Sequence, residues 1–220
     1  MSGPVRRRAV VFDLDGTLID SMPLVLAAIT HAIEPFGRRT HEEIFARLGG
    51  PPDRFLGTLL DDLQHVPTAR QRFDAFDREN AHLIRPYADA DRVLKRLRDA
   101  GALVALWTGR DRTSTDWLLQ RHQLGGYFQA VLCGDDLPSH KPDPAGLVEI
   151  MLRLGVTPAE TLLVGDADVD VLGGVGGGVD TLLIRHARAV DPRITTQAWR
   201  IVDTPAAAFG VILGCLDTGG

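Results

Sequence analysis

Apolar positions along this chain change rhythm several times, and the changes mark out its parts. Ala9-Val10-Val11-Phe12 is an uninterrupted apolar run, β-branched and aromatic, that stops at a carboxylate; it predicts a short buried strand. From Ser21 to about Arg85 the rhythm becomes helical. Val25, Ile29, Ala32, Ile33 and Phe36 recur three and four apart, and Gly37 suits the end of that helix. A second helix is predicted from Thr40 through Leu48, before Gly49-Gly50-Pro51-Pro52. A third puts Phe55, Leu56, Leu59, Leu60 and Leu63 on one side, and a fourth, from about Thr68, carries Phe73, Phe76, Leu83 and Ile84. No strand-like run interrupts this stretch, so it reads as an all-helical insert.

Strands resume after Pro86-Tyr87. Ala90, Val93, Leu94 and Leu97 form a helical face that ends at Gly101, and Ala102 to Trp107 is an apolar strand. Val131-Leu132-Cys133, Leu162 to Val164 and Val179 to Ile184 are further strands; Trp199 to Val202 reads as an edge strand. Between them Leu147, Ile150, Met151 and Leu154 make a helical stripe, and Thr157-Pro158-Ala159-Glu160 has capping-box spacing. Ala206 to Leu216 predicts a closing helix. Strands alternating with helices predict an α/β fold with a parallel sheet. The run Gly173-Gly174-Val175-Gly176-Gly177-Gly178 should weaken its helix by roughly 0.5–1 kcal/mol per glycine against alanine. It lacks the strand and spacing of a dinucleotide fingerprint, so local softness is expected there.

Composition narrows the possibilities. The 220 residues are 45% hydrophobic, enough for a packed core, and the formal net charge of −5 gives no reason to expect a nucleic-acid partner. Arg6-Arg7-Arg8 is short and reads as a solvated lead-in to the first strand. No apolar run approaches the roughly 20 residues of a membrane span, and the segment before Asp13 is too short for the apolar part of a secretory leader. Cys133 and Cys215 have no metal-site spacing, so a reduced, cytoplasmic chain is expected. Lys95 and Lys141 are the only lysines.

The strand ends carry the chemistry. Asp13 and Asp15 are two apart and share a face in extended chain, and Gly16 permits a turn that a side chain would obstruct. Two crowded carboxylates repel unless a cation or a proton resolves the conflict; one can attack as a nucleophile while its neighbour carries a proton. Thr108-Gly109-Arg110, between a strand and a helix start, offers a hydroxyl and backbone N–H groups to a phosphate. Pro142 and Pro144 stiffen the turn that presents Lys141. Gly165-Asp166-Ala167-Asp168-Val169-Asp170 delivers carboxylates suited to a hard cation such as Mg²⁺, without the longer spacing of a calcium loop. In a parallel sheet these strand ends lie on one edge, where open α/β folds bind ligands.

Asp13-Leu14-Asp15-Gly16-Thr17-Leu18-Ile19-Asp20-Ser21 closely resembles the first motif of the haloacid dehalogenase-like hydrolases. Thr108 is similar to their second, Lys141-Pro142-Asp143-Pro144 to their third, and Gly165-Asp166 with Asp170 to their fourth. The resemblance spans essentially the whole chain. It implies a Rossmann-like parallel-sheet core of residues 1–19 and 86–220, with a small helical cap of residues 20–85. It implies a Mg²⁺-dependent phosphatase acting on a small phosphomonoester, with no nucleic-acid or membrane partner. Asp13 would accept the phosphoryl group, Asp15 would act as general acid and base, and Lys141 would neutralise charge. Thr108 and Gly109 would bind the phosphoryl group; Gly109 stands where many relatives have Asn. Asp13, Asp15, Asp166 and Asp170 would form the metal set, Asp166 directly and Asp170 through water or as the partner of Lys141.

Phosphoglycolate-phosphatase-like members fit most specifically, and similar caps present a basic residue near the turn that holds Arg54, which would then read the substrate. The alternative for Arg54 is a solvated helix position. A dehalogenase characteristically lacks the second aspartate, and a phosphonoacetaldehyde hydrolase needs a cap lysine that residues 20–85 do not contain. A β-phosphoglucomutase-like sugar phosphomutase is the runner-up. A phospho-acceptor signalling domain is the alternative from another class.

Overall fold

A computed structural model describes residues 7–39, 52–186 and 190–217 of the chain, with Arg54, Leu216 and Asp217 by their backbone alone. The strand β1 (Ala9–Phe12) is wholly buried at the centre of a six-stranded sheet. On one side it pairs in parallel with β4 (Leu103–Trp107), Phe12 opposite Leu106; on the other it pairs with β6 (Thr161–Gly165), Phe12 opposite Val164. Beyond these lie β5 (Ala130–Leu132) on one flank and β7 (Asp180–Ile184) and β8 (Arg200–Val202) on the other, every pairing parallel. The chain therefore leaves β1, β4 and β6 at the same edge and nearly the same height, with Asp13, Thr108 and Asp166 just past neighbouring strand ends.

Both faces are covered, which is why these strands are apolar throughout rather than alternating. Val10, Phe12, Val104, Leu106, Leu162, Val164, Leu182 and Ile184 face one layer, with Leu94 and Leu97 of α4 (Ala90–Asp99) and Phe209 and Ile212 of α9 (Pro205–Asp217). Ala9, Val11, Ala105, Trp107 and Leu163 face the other, against Leu147, Ile150 and Met151 of α6 (Ala145–Leu154). The period of two along each strand sorts its residues between the layers.

A separate apolar cluster joins Ala28, Ile29, Ala32 and Ile33 of α1 (Met22–Ile33) to Phe55 and Leu56 of α2 (Pro52–Leu59) and to Ala69 and Phe73 of α3 (Val66–Asn80). The chain enters and leaves this helical segment through a two-stranded antiparallel ribbon, β2 (Ile19–Asp20) against β3 (Arg85–Pro86), with Asp20 opposite Arg85. Gly37, at φ 72°, closes the turn that follows α1. The helix expected over Thr40–Leu48 lies outside the described residues.

Three expectations need correction. Leu63 and Leu83 do not lie on the buried helical faces: they are 67% and 57% exposed. Each falls in a short 3₁₀ turn, Leu63–His65 and Ala81–Leu83, whose tighter winding rotates residues off the stripe set by 3.6 residues per turn. The first of these turns is fixed by Asp62, whose side chain accepts from the backbone N–H of Gln64. Nor is the arginine-rich lead-in simply solvated. Arg7 donates to the carbonyls of Ala159 and Thr161 and pairs with Asp180, and Arg8 pairs with Glu160, tying the start of β1 to β6 and β7.

The glycine run ends α7 (Asp168–Gly177), and two of its members have a packing reason. A Cβ on Gly173 would stand 2.7 Å from Cη2 of Trp107, and one on Gly174 would overlap the Thr181 hydroxyl. These glycines let the helix press against the sheet, at the propensity cost anticipated above.

Candidate active site

Asp13 follows β1 directly, and its backbone N–H donates to the carbonyl of Val164 at 2.8 Å, continuing the ladder one residue past the strand. The chain then folds back on itself. The N–H groups of Leu18 and Ile19 both donate to the carbonyl of Leu14, and Gly16 takes φ 75°, a backbone state that favours glycine. The Asp166 carboxylate fills the place a Gly16 side chain would need.

Lys141, almost wholly buried, reaches in from the loop before α6 and donates to Oδ1 of Asp13 and to Oδ1 of Asp170, each at 2.7 Å. Its ammonium lies 4.8 Å from the centroid of the Trp107 ring, close enough for a cation–π contact. Asp170, in the first turn of α7, turns its other oxygen to the N–H of Ala167, so the helix start and the lysine share one carboxylate. A buried ion pair is stable only when its remaining lone pairs and protons are satisfied, and this one is bonded on both sides.

Burial raises the Asp13 carboxyl to about 7; Lys141 pulls it down in part, and the neighbouring Asp170 charge adds to the rise. Lys141 itself is penalised by burial, yet Asp13 and Asp170 more than compensate and hold it above its ordinary range. One carboxylate oxygen each from Asp13, Asp166 and Asp170 lie within 4.8 Å of one another. Three clustered carboxylates, two of them bonded to one ammonium, offer only oxygen donors and suit a hard divalent cation.

Thr108 is buried at the end of β4. Its backbone N–H donates to the Leu132 carbonyl, and its hydroxyl oxygen accepts from the N–H of Arg110 at 3.1 Å, which leaves the hydroxyl proton available to a ligand. Gly109 has open space where its side chain would project, so the missing Asn leaves room rather than a filled contact.

Arg110 is the residue that the sequence reading passed over. Its Nε and Nη2 donate to the two oxygens of Asp15 at 3.0 and 2.8 Å, and its Nη1 donates to Asp77 of α3 at 3.2 Å. Burial works to raise Asp15, but this fork outweighs it and holds the carboxyl below its ordinary value. In this arrangement the Asp15 carboxylate points to Arg110, outside the oxygen cluster of Asp13, Asp166 and Asp170. The only sequence cue was a basic residue two positions after Thr108.

His186, just past β7, was also missed. Its Nε2–H donates to the Gly16 carbonyl at 2.7 Å and lies 3.9 Å from an Asp166 oxygen, bracing the turn after β1 from the far side. Its ring packs 5.9 Å from that of Tyr87. His140 is exposed. The contact expected of Arg54 concerns a side chain outside the described part of the structure.

The chain resembles known proteins along nearly its full length. A phosphoglycolate phosphatase from Vibrio vulnificus is 33% identical over 94% of this chain and 96% of its own. Phosphoglycolate phosphatase 1 of Pseudomonas aeruginosa is 34% identical over 78% of this chain and 67% of its own. Among solved structures, a haloacid dehalogenase-like family hydrolase from Streptococcus pneumoniae superposes with a TM-score of 0.79 at 17% identity, covering 92% of this chain and 97% of that one; at this identity the likeness concerns the fold. The sequence model of the haloacid dehalogenase-like hydrolases matches residues 10–184, a span that runs from β1 through Lys141 and Asp170 to the end of β7. A parallel sheet with acidic strand ends, the family match over most of the chain and relatives about a third identical over two thirds or more of their length lead to one assignment: the chain belongs to the haloacid dehalogenase-like hydrolases and is a phosphatase of that family.

Proposed function

We propose that this phosphatase hydrolyses a small phosphomonoester by way of a phosphoryl group carried on Asp13, with 2-phosphoglycolate and similar short anionic alkyl phosphates as first candidates. The observation that carries the reading is the buried Asp13 carboxylate, bonded to Lys141 at 2.7 Å and sharing an oxygen cluster with Asp166 and Asp170. The choice of substrate rests on the names of the relatives, several of which are phosphoglycolate phosphatases.

An Asp13 oxygen forms a bond to phosphorus as the ester oxygen leaves, and the departing oxygen takes a proton from Asp15. Water then attacks phosphorus and gives a proton to Asp15; the Asp13–phosphorus bond breaks, inorganic phosphate leaves and Asp13 is restored. Lys141 offsets the meeting of carboxylate and phosphate charge, and the Thr108 hydroxyl donates to a phosphoryl oxygen. Asp13 and Asp166, with Asp170 alongside, would hold Mg²⁺, which supplies further positive charge against the phosphate.

Residues 20–85 act in this reading as a cap over the strand ends, supported by their own apolar cluster and by the ribbon of Ile19–Asp20 and Arg85–Pro86. Arg54 of that cap would meet the part of the substrate that is not phosphate. Neither Cys133 nor Cys215 is in a disulfide, which suits a reducing, cytoplasmic setting. The test is a panel of phosphate esters, with Mg²⁺ and with a chelator, run on wild type and on Asp13→Asn. Phosphate release that survives either the amide or the chelator overturns the reading, and transfer of phosphate to a sugar instead of water replaces it with a mutase.

A further inference from the structure

Trp107 holds a place in the site that the proposed reaction leaves unused. It is the last residue of β4, directly before Thr108, and it is only 3% exposed. Its indole runs between two helices, and both make room for it. A Cβ on Gly146 of α6 would stand 2.4 Å from Nε1, and one on Gly173 of α7 would stand 2.7 Å from Cη2. Real side chains do not approach so closely, so neither position can carry one while the ring stays where it is. The five-membered end of the indole is thus gripped by one helix and the six-membered end by the other.

The face of this fixed ring is turned to Lys141, whose ammonium lies over it, 4.8 Å from the centroid. An ammonium has three N–H groups, and Lys141 gives hydrogen bonds to Oδ1 of Asp13 and to Oδ1 of Asp170. A buried cation needs compensation, and the possible partners differ in what they do to an arriving phosphate. A further carboxylate would hold the lysine but would set one more negative charge against the phosphate. An aliphatic side chain would fill the space and give the ammonium nothing. An aromatic face attracts the cation through its quadrupole and carries no net charge. Indole is the strongest of the aromatic side chains in this respect, and it is the one present.

We propose that Trp107 is a positioning residue for Lys141: its ring face fixes the ammonium beside Asp13 and Asp170 without cancelling the positive charge that the phosphoryl group meets. The proposal rests on the reading of Lys141 as the charge that offsets the phosphate. It also gives the glycines of two helices a share in the chemistry, because Gly146 and Gly173 set where the ring can lie.

The test measures kcat/KM for p-nitrophenyl phosphate in Mg²⁺, on folded protein. Lys141→Met is the control for the underlying reading and should lower the rate at least ~100-fold, the scale of losing one group that stabilises transition-state charge. A rate near wild type would sink the reading of Lys141 itself. Trp107→Phe keeps an aromatic face, whereas Trp107→Leu keeps apolar bulk without one. The rate should fall about tenfold for Trp107→Leu and less than about threefold for Trp107→Phe. A third protein keeps the shape of the core: 4-fluorotryptophan at position 107, in a Trp117→Phe and Trp199→Phe background that removes the two exposed indoles. The fluorine sits on Cε3, away from the atoms that face the two glycines, and draws electron density from the ring. It should lower kcat/KM about twofold against the same background with ordinary tryptophan. If the fluorinated protein matches its parent and the Phe and Leu variants are equally active, while Lys141→Met is not, Trp107 only fills the core and the proposal falls.

Discussion

Gly16 and Asp166 contend for the same space: a Cβ built on Gly16 would overlap one oxygen of the Asp166 carboxylate and stand 3.1 Å from the other. The turn after β1 thus has no side chain at this point because a residue more than a hundred positions later needs the room. Gly16→Ala should push Asp166 out of the oxygen cluster and strain a backbone at φ 75°. Displacements of about 1 Å near a reacting centre cost on the order of 100-fold in rate, and overpacking of this kind costs about 1–3 kcal/mol in stability. The expected outcome is weakened Mg²⁺ binding by calorimetry, with a fall in activity larger than the fall in melting temperature would explain. Undiminished Mg²⁺ affinity would refute the link.

Asp13 gives a pH signature. With its folded value raised to about 7 from an ordinary 3.8, the folded protein keeps a proton on Asp13 that the unfolded chain has already lost across that interval. Its contribution is therefore fully present below about pH 4, declines as pH rises and levels off above about pH 7. Denaturation of metal-free wild type and Asp13→Asn across this range should show the wild type losing stability relative to the variant as pH increases. Saturating Mg²⁺ should flatten the difference, since it favours the deprotonated form. A difference between the two proteins that is constant with pH in the absence of metal would contradict the raised value.

Gly173 faces the Trp107 ring, and the ring faces Lys141. Replacing a helical glycine with alanine ordinarily gains up to about 1 kcal/mol. Here Gly173→Ala should instead destabilise by about 1–3 kcal/mol, because the added methyl meets an aromatic ring that cannot retreat from the sheet. Urea denaturation decides between the two signs, and a stabilised variant would mean that the helix and ring have slack between them.

Arg54 carries the substrate part of the proposed function. Arg54→Ala should lower kcat/KM for an anionic alkyl phosphate about tenfold, equivalent to ~1.4 kcal/mol, and leave p-nitrophenyl phosphate within about twofold. Equal rates for wild type and variant on the anionic ester would return Arg54 to the solvent.

Much of this architecture was legible in the amino-acid order. Ala9–Phe12 is short, apolar and cut off by Asp13, and the register beside it puts the ends of β4 and β6 within one residue of level. Parallel pairing does the rest, because it brings every strand end to one edge whatever the separation along the chain. The partners of the charged groups were not legible. Nothing in the sequence says that Arg110 takes both oxygens of Asp15, or that Asp77 on α3 shares it, since these contacts depend on how two separately packed regions meet. The glycines of α7 misled for the same reason: their local cost is readable from composition, but Trp107 and Thr181, which require them, lie far away in sequence. Leu63 and Leu83 misled through local winding, which an apolar stripe alone does not report.

The narrow ribbon of Ile19–Asp20 and Arg85–Pro86 has a consequence for engineering. Because the polypeptide departs and returns through the same doorway, the ribbon holds the two ends of the helical segment side by side, while Leu24 of α1 packs into the core layer and Asp77 of α3 bonds Arg110. A helical set of different length or charge grafted at this seam has to keep those two contacts, so new selectivity is sought in the rest of the segment.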